Sequence, residues 1–197
     1  MAGTVVIKWG GGLITHKDKL CTVNQTVIDA LADVCKNSTS RLVIVHGAGS
    51  FGHMKAKQFR LAEGRVEGLS QDGAVDEVRN DMLELNQKVV SSLESRGLDA
   101  KSFPPHLWAK GTGPNFSGEL PLHDGITVVY GDVVDDESND FGILSGDDLM
   151  LRYATEIPDV ESAIFAIGGV DGILRVPPSK AGPNDLIEEW NPSMEFE

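Results

Sequence analysis

The sequence is poor in cysteine, in basic residues and in long apolar runs, and each shortage removes a class of function. Its two cysteines, Cys21 and Cys35, lie in no metal-like spacing, which speaks against a structural metal cluster. Nothing at the start resembles a secretory signal. No apolar run approaches the roughly 20 residues that cross a bilayer, so the chain reads as cytoplasmic with no membrane partner. The glycosylation patterns beginning at Asn24, Asn37 and Asn115 therefore carry no weight. Lys and Arg number 17 against 30 Asp and Glu, a formal charge of −13, which argues against a nucleic-acid surface or an anionic-lipid surface. The pattern Gly-x-x-x-x-Gly-Lys-[Ser/Thr] is also missing, which disfavours a P-loop site.

What is present is a set of short apolar runs that each end in glycine. With 197 residues, 41% of them hydrophobic, the chain can bury a sizeable core as one domain. Leu42-Val43-Ile44-Val45 is short, β-branched and uncharged, as a buried parallel strand should be. It runs into His46-Gly47-Ala48-Gly49-Ser50-Phe51-Gly52-His53. Gly47 and Gly49 permit a sharp turn and close approach of a ligand, and Ser50 is expected to cap a helix from Phe51 to Phe59. Free N–H groups at such a helix start favour an anion, and His53, near the first turn, can donate to a phosphate oxygen. A similar element opens the chain, where the strand Val5-Val6-Ile7 leads into Lys8-Trp9-Gly10-Gly11-Gly12. Loops at the carboxyl ends of neighbouring parallel strands converge on one crevice. Lys8 at the strand end and Lys17 beyond the turn can there neutralise a phosphate or a transferring phosphoryl group.

Between these turns, Val27, Ile28, Leu31, Val34 and Cys35 recur at helical spacing within 24–36, predicting a crossover helix with Cys35 as a buried apolar side chain. A longer amphipathic helix is expected from Gly73 to Arg96, closed by Gly97. The Pro- and Gly-rich stretch 102–124 reads as loops or a hairpin over the sheet edge, and its His106 and His123 as ordinary surface or packing histidines. Ile126–Tyr130 is a strand, an acidic hairpin spans 135–140, and Gly146-Asp147 opens a helix carrying Leu149, Met150 and Tyr153. A last strand, 163–167, ends in Gly168-Gly169-Val170-Asp171-Gly172.

In the order and spread of these motifs the sequence resembles the isopentenyl phosphate kinase family of the amino acid kinase superfamily. The segments that carry the resemblance are the Lys8–Lys17 opening, the His46–His53 turn with its Ser-Phe-Gly-His ending, Tyr130-Gly131-Asp132-Val133, Leu144-Ser145-Gly146-Asp147-Asp148 and Val170-Asp171-Gly172-Ile173. The resemblance implies a three-layer αβα sandwich with a mainly parallel central sheet. It implies ATP-dependent phosphorylation of isopentenyl phosphate to isopentenyl diphosphate, in isoprenoid biosynthesis, with Mg²⁺ and in a homodimer. By the same resemblance Lys8, Lys17 and Asp147 are catalytic, Asp147 orienting the lysines with Asp132 in support. Ala48, His53 and Gly146 hold the acceptor. Lys8, Gly10, Gly11, Gly12, Gly49 and Asp171 meet the nucleotide, and no side chain is assigned as a metal ligand.

The chain departs from the family pattern at Gly12, where a serine is usual, at Ala48, where a glycine is usual, and at Gly168-Gly169, which stand for Thr-Asp. The family's later Asp-x-Thr-Gly-Gly-Met-x-x-Lys segment is expected beyond Glu197. The 1–197 stretch thus reads as a single kinase domain without the last part of its nucleotide-binding lobe. A phosphonate kinase resembling fosfomycin kinase and an inactive phosphate-binding fragment are the alternatives.

Overall fold

The structure, a computed structural model, describes residues 3–170, 172–189 and 191. Asp171 lies outside the described residues, and the expectation attached to it goes with it. The chain divides after Ala166 into two compact units.

The larger unit is built on five parallel strands in the order β3-β4-β2-β1-β7. These are β1 (Thr4–Trp9), β2 (Arg41–His46), β3 (Ala100–Ser102), β4 (Ile126–Tyr130) and β7 (Val160–Ala166). β2 and β4, the two most apolar runs, occupy interior positions and are buried along nearly their whole length, as strands covered on both faces must be. β5 (Asp132–Asp136) and β6 (Asp140–Leu144) form a separate antiparallel hairpin. Its arms reach back to Asp132 and forward to Leu144, so the acidic stretch is the tip of a longer ribbon.

Among the described residues the α-helices are α1 (Gly11–Ile14), α2 (Gln25–Cys35), α3 (Gly49–Gln58), α4 (Asp72–Glu94) and α5 (Gly146–Glu156). Alternate strand residues feed two cores. Trp9, Ile44, Val128 and Tyr130 pack with Ile28, Phe51, Met82 and Leu85 from α2, α3 and α4. Val6, Val43, Val45 and Val129 pack with Leu149, Met150 and Tyr153 of α5. Over β4, β2 and β1 the sheet is thus covered on both faces, as the three-layer expectation requires, while the edge strand β7 is exposed along most of its length.

α4 buries Val75, Val78, Met82, Leu85, Val89 and Leu93, one stripe at helical period. Gly97 then takes φ +75° while the Leu98 N–H returns to the Leu93 carbonyl at 3.2 Å, a left-handed stop. α2 buries Ile28, Ala32 and Cys35, but Val34, expected on that stripe, is 68% exposed. With Ile28 and Cys35 fixing the buried face, residue 34 is turned about 100° away from residue 35. Burial pushes the Cys35 thiol up to about 11, which makes it an inert packing group.

The 102–124 stretch lies over the α5 face rather than over the sheet edge alone. Ala109 and Phe116 join the second core, the Arg152 guanidinium sits 4.3 Å from the Phe116 ring centroid, and the Tyr153 hydroxyl donates to the Pro121 carbonyl at 2.8 Å. The smaller unit, from Ile167, contains two short 3-10 turns, Pro178–Lys180 and Pro183–Asp185. An antiparallel bridge between Leu174 and Leu186 ties it together.

Candidate active site

The two glycine turns that follow β1 and β2 pack backbone against backbone. A Cβ placed on Gly11 would lie 2.3 Å from the Gly49 nitrogen, and one on Gly47 would lie 2.7 Å from the Gly11 nitrogen. Neither position admits any side chain. The Gly47 N–H donates to the Trp9 carbonyl at 3.0 Å and the Gly10 N–H to the Ala166 carbonyl at 2.8 Å, which fixes both turns to the strand ends. Thr15 fastens them together. Its hydroxyl donates to the Gly11 carbonyl at 2.7 Å and accepts from the Ser50 N–H at 3.0 Å, while Gly49, at φ +50°, passes so close that a Cβ there would meet Thr15 Oγ1 at 2.1 Å.

The turn from β6 into α5 joins the same place. A Cβ on Gly146 would stand 3.7 Å from both the His46 carbonyl oxygen and Lys8 Cε. Ser145 caps α5 by accepting from the Asp148 N–H at 3.0 Å, and its hydroxyl donates to the Asp148 carboxylate at 2.6 Å. Capping therefore occupies Asp148 and releases Asp147, whose Oδ1 lies 2.5 Å from Lys8 Nζ. Asp147 is largely exposed and Lys8 largely buried, so the ammonium reaches outward to an exposed carboxylate. The same ammonium lies 5.8 Å from the Phe165 ring centroid. Lys17 is exposed, and its Cε lies where a Cβ on residue 12 would be, at 2.3 Å. Glycine at position 12 lets Lys17 lie across the turn.

α3 begins at Gly49 with Ala48 as its flanking residue at φ −76°, so alanine is accommodated where the family has glycine. Two expectations are corrected here. Ser50 does not cap the helix: it lies inside it, buried, with its hydroxyl donating to the Thr22 carbonyl at 3.4 Å. His53 sits in the second turn rather than the first, exposed on the helix surface. Lys55 of the same helix is engaged by Glu77 and Asp81 of α4 at 2.5 and 2.6 Å. Burial pulls its pKa down, but those two carboxylates outweigh it and hold the amine charged.

Behind the turns lies a buried polar layer that motif reading did not find. His46 is fully buried, stacked on Tyr130 and bonded toward Gly47 and Asn86. Burial pushes its pKa down to about 4, so it is neutral near pH 7. Tyr130 is buried with no partner for its hydroxyl among the described residues, and burial raises its pKa. Asp132 does not support Asp147. Its buried carboxylate accepts from the Val133 N–H at 2.9 Å and pairs with His106 Nδ1 at 2.7 Å. His106, taken from the sequence as ordinary, is thus the partner of a buried acid, and His123 pairs with Asp99 at 2.9 Å.

A parallel sheet whose β1 and β2 ends deliver glycine turns and a lysine, joined by the helix start that follows β6, defines a phosphate-handling α/β protein. The pattern of the amino acid kinase family matches residues 3–193, and the chain belongs to that family. It is 29% identical to the isopentenyl phosphate kinase of Thermoplasma acidophilum over 196 residues, covering 98% of this chain and 78% of that protein. It is 26% identical to the isopentenyl phosphate kinase of Methanocaldococcus jannaschii over 184 residues, covering 86% of this chain and 70% of that one. A solved structure described as isopentenyl phosphate kinase superposes with a TM-score of 0.81 at 29% identity, over 90% of this chain and 76% of the other.

Proposed function

We propose that this chain transfers the γ-phosphoryl group of ATP to isopentenyl phosphate, giving isopentenyl diphosphate and ADP. The observation that carries the reading is the packing of Gly11 on Gly47 and Gly49, with Gly146 beside Lys8 and Lys8 paired with Asp147. Such a site supplies backbone N–H groups and one directed cation, the means by which phosphoryl transfer is catalysed. The acceptor is already an oxyanion at neutral pH, so no general base is required. Its phosphate oxygen bonds to the γ-phosphorus as the bond to the β–γ bridging oxygen breaks, and that oxygen leaves with ADP.

In this reading Lys8 and Gly10, Gly11 and Gly12 meet the donor phosphates, and Gly49 stands between donor and acceptor. Lys17 stabilises the oxygens of the group in transit. Ala48, His53 and Gly146 hold the acceptor, His53 from the exposed face of α3. Among the described residues no three His, Cys, Asp or Glu side chains form a metal cluster, so Mg²⁺ would arrive held by nucleotide phosphates. Bound there it would neutralise phosphate charge. A homodimer and a cytoplasmic location belong to the same reading by family resemblance, and light scattering tests the dimer.

Isothermal titration with isopentenyl phosphate, beside ADP release from ATP with isopentenyl phosphate or fosfomycin as acceptor, tests the assignment. The expected result is acceptor binding and turnover with isopentenyl phosphate. Turnover with fosfomycin alone would assign a phosphonate kinase, and binding without turnover a phosphate-binding fragment.

A further inference from the structure

His46 closes β2 and is wholly buried. Its ring stacks on Tyr130, its register partner in β4, with centroids 5.0 Å apart and planes 22° from parallel. Nδ1 lies 3.2 Å from the Gly47 carbonyl oxygen and Nε2 lies 3.3 Å from Oδ1 of the Asn86 side-chain amide of α4. The other end of that amide is 2.5 Å from Ser102 Oγ. One imidazole thus joins β4, α4 and, through Asn86, the edge strand β3 to a single peptide group of the glycine turn.

A carbonyl oxygen can only accept, so the Gly47 contact requires the proton of the neutral ring on Nδ1. Nε2 is then an acceptor. The structure places Asn86 Oδ1 toward Nε2 and Nδ2 toward Ser102; the two ends have the same shape, and with Nδ1 protonated the carboxamide is assigned turned over, its NH₂ donating to Nε2 and its oxygen accepting from the Ser102 hydroxyl. The chain has no cis peptide among the described residues, and in a trans peptide the C=O and the following N–H point in opposite directions. Holding the Gly47 carbonyl against the ring therefore turns the Ala48 N–H away from it. The neighbouring groups are occupied: the Gly47 N–H donates to Trp9, and the Ala48 carbonyl accepts from the Phe51 N–H at 3.1 Å. Among the described residues the Ala48 N–H has no backbone partner.

We propose that His46 is a positioning residue, which as its Nδ1–H tautomer sets the Gly47–Ala48 peptide plane so that the Ala48 N–H faces the acceptor phosphate. The identity of the ligand rests on the function proposed above; the control of the peptide plane rests on the ring's contacts alone. His46 touches no substrate in this scheme.

Two readouts test it. In ¹⁵N-labelled protein the His46 ring shows a protonated Nδ1 and an unprotonated Nε2. The Ala48 amide resonance moves in His46→Phe, which keeps the stacking and loses the donor. It returns in His46→Asn, whose amide reaches the Nδ1 position, and does not return in His46→Gln, whose amide reaches the Nε2 position. Titration with isopentenyl phosphate gives about tenfold weaker binding for His46→Phe and binding within about threefold of the parent for His46→Asn. Should His46→Phe fail to fold, the comparison of Asn with Gln decides. A protonated Nε2, or Asn and Gln variants that behave alike in both readouts, overturns the role of His46. The expected tautomer and Ala48 response in a chain that does not bind isopentenyl phosphate would uphold that role and overturn the proposed function instead.

Discussion

Acidification should destabilise this protein through one buried side chain, well before its carboxylates are titrated. Burial pushes the His46 pKa down to about 4, against the opposing pull of the Gly47 carbonyl and the negative charge of Asp132. Of the groups that contact the ring, Tyr130 and Asn86 are neutral, and the nearby negative charge of Asp132 favours protonation. In the unfolded chain the same imidazole titrates near its ordinary value of about 6.5. Between those two values the unfolded chain binds a proton that the folded chain does not, so stability falls as the pH drops through the window and levels off below it. The difference is worth about 3 kcal/mol, most of it lost by pH 4.5. The carboxylates Asp33, Glu63 and Glu156, held low by hydrogen bonds from Arg96, Arg60 and Arg152, lose their contribution at lower pH. Urea unfolding followed by circular dichroism at pH 7 and 4.5, on the parent and on His46→Asn, isolates the effect. The parent should lose about 2–3 kcal/mol more than the variant. Equal losses in the two proteins would mean that His46 is protonated in the folded state, and the reasoning fails.

For His53→Ala, KM for isopentenyl phosphate should rise far more than KM for ATP, by the equivalent of about 1.5–3 kcal/mol. Equal effects on both substrates would remove His53 from the acceptor side. Lys8→Ala should lower kcat by roughly 10²–10³, and steady-state ADP release at saturating substrate is the check; an unchanged kcat would leave the pair with Asp147 a structural contact. Gly49→Ala places a Cβ at positive φ, 2.1 Å from Thr15 Oγ1 and 2.5 Å from the Gly11 carbonyl oxygen. A loss of at least about 2 kcal/mol should appear as a fall of roughly 5 °C in Tm, and a variant that melts with the parent would refute the close packing of the two turns.

Period and turn chemistry made the sheet legible. The strand Ile126–Tyr130 and the six-residue stripe of α4 are local patterns that one side chain after another repeats. The glycine turns were legible for the same reason, since Gly11, Gly47 and Gly49 sit where only backbone fits. What stayed hidden depends on contacts between distant residues. His106 finds Asp132 26 residues away, and His46 finds Asn86 40 residues away, separations that carry no local signal. Ser50 misled because a serine two residues after a turn fits an N-cap by type, whereas Thr22, 28 residues back, had already claimed its hydroxyl. Thr15 was visible in its motif, but its task of joining two turns emerges only once Gly11 and Ser50 are brought together.

The pair between Lys8 and Asp147 spans 139 residues of sequence, and one of the two strands beside Lys8 in the sheet, β7, is drawn from residues more distant still. Synthesis of such a length takes roughly 10 s, and contacts of such separation are among the slowest for a chain to close. During that interval β1, β2 and α2 can already assemble, while the lysine waits without its carboxylate. Completion of the crevice is therefore a late event in the maturation of this chain. A phosphate ligand that needs both turns and the α5 start would recognise the finished molecule alone and, by mass action, draw incompletely folded chains toward it.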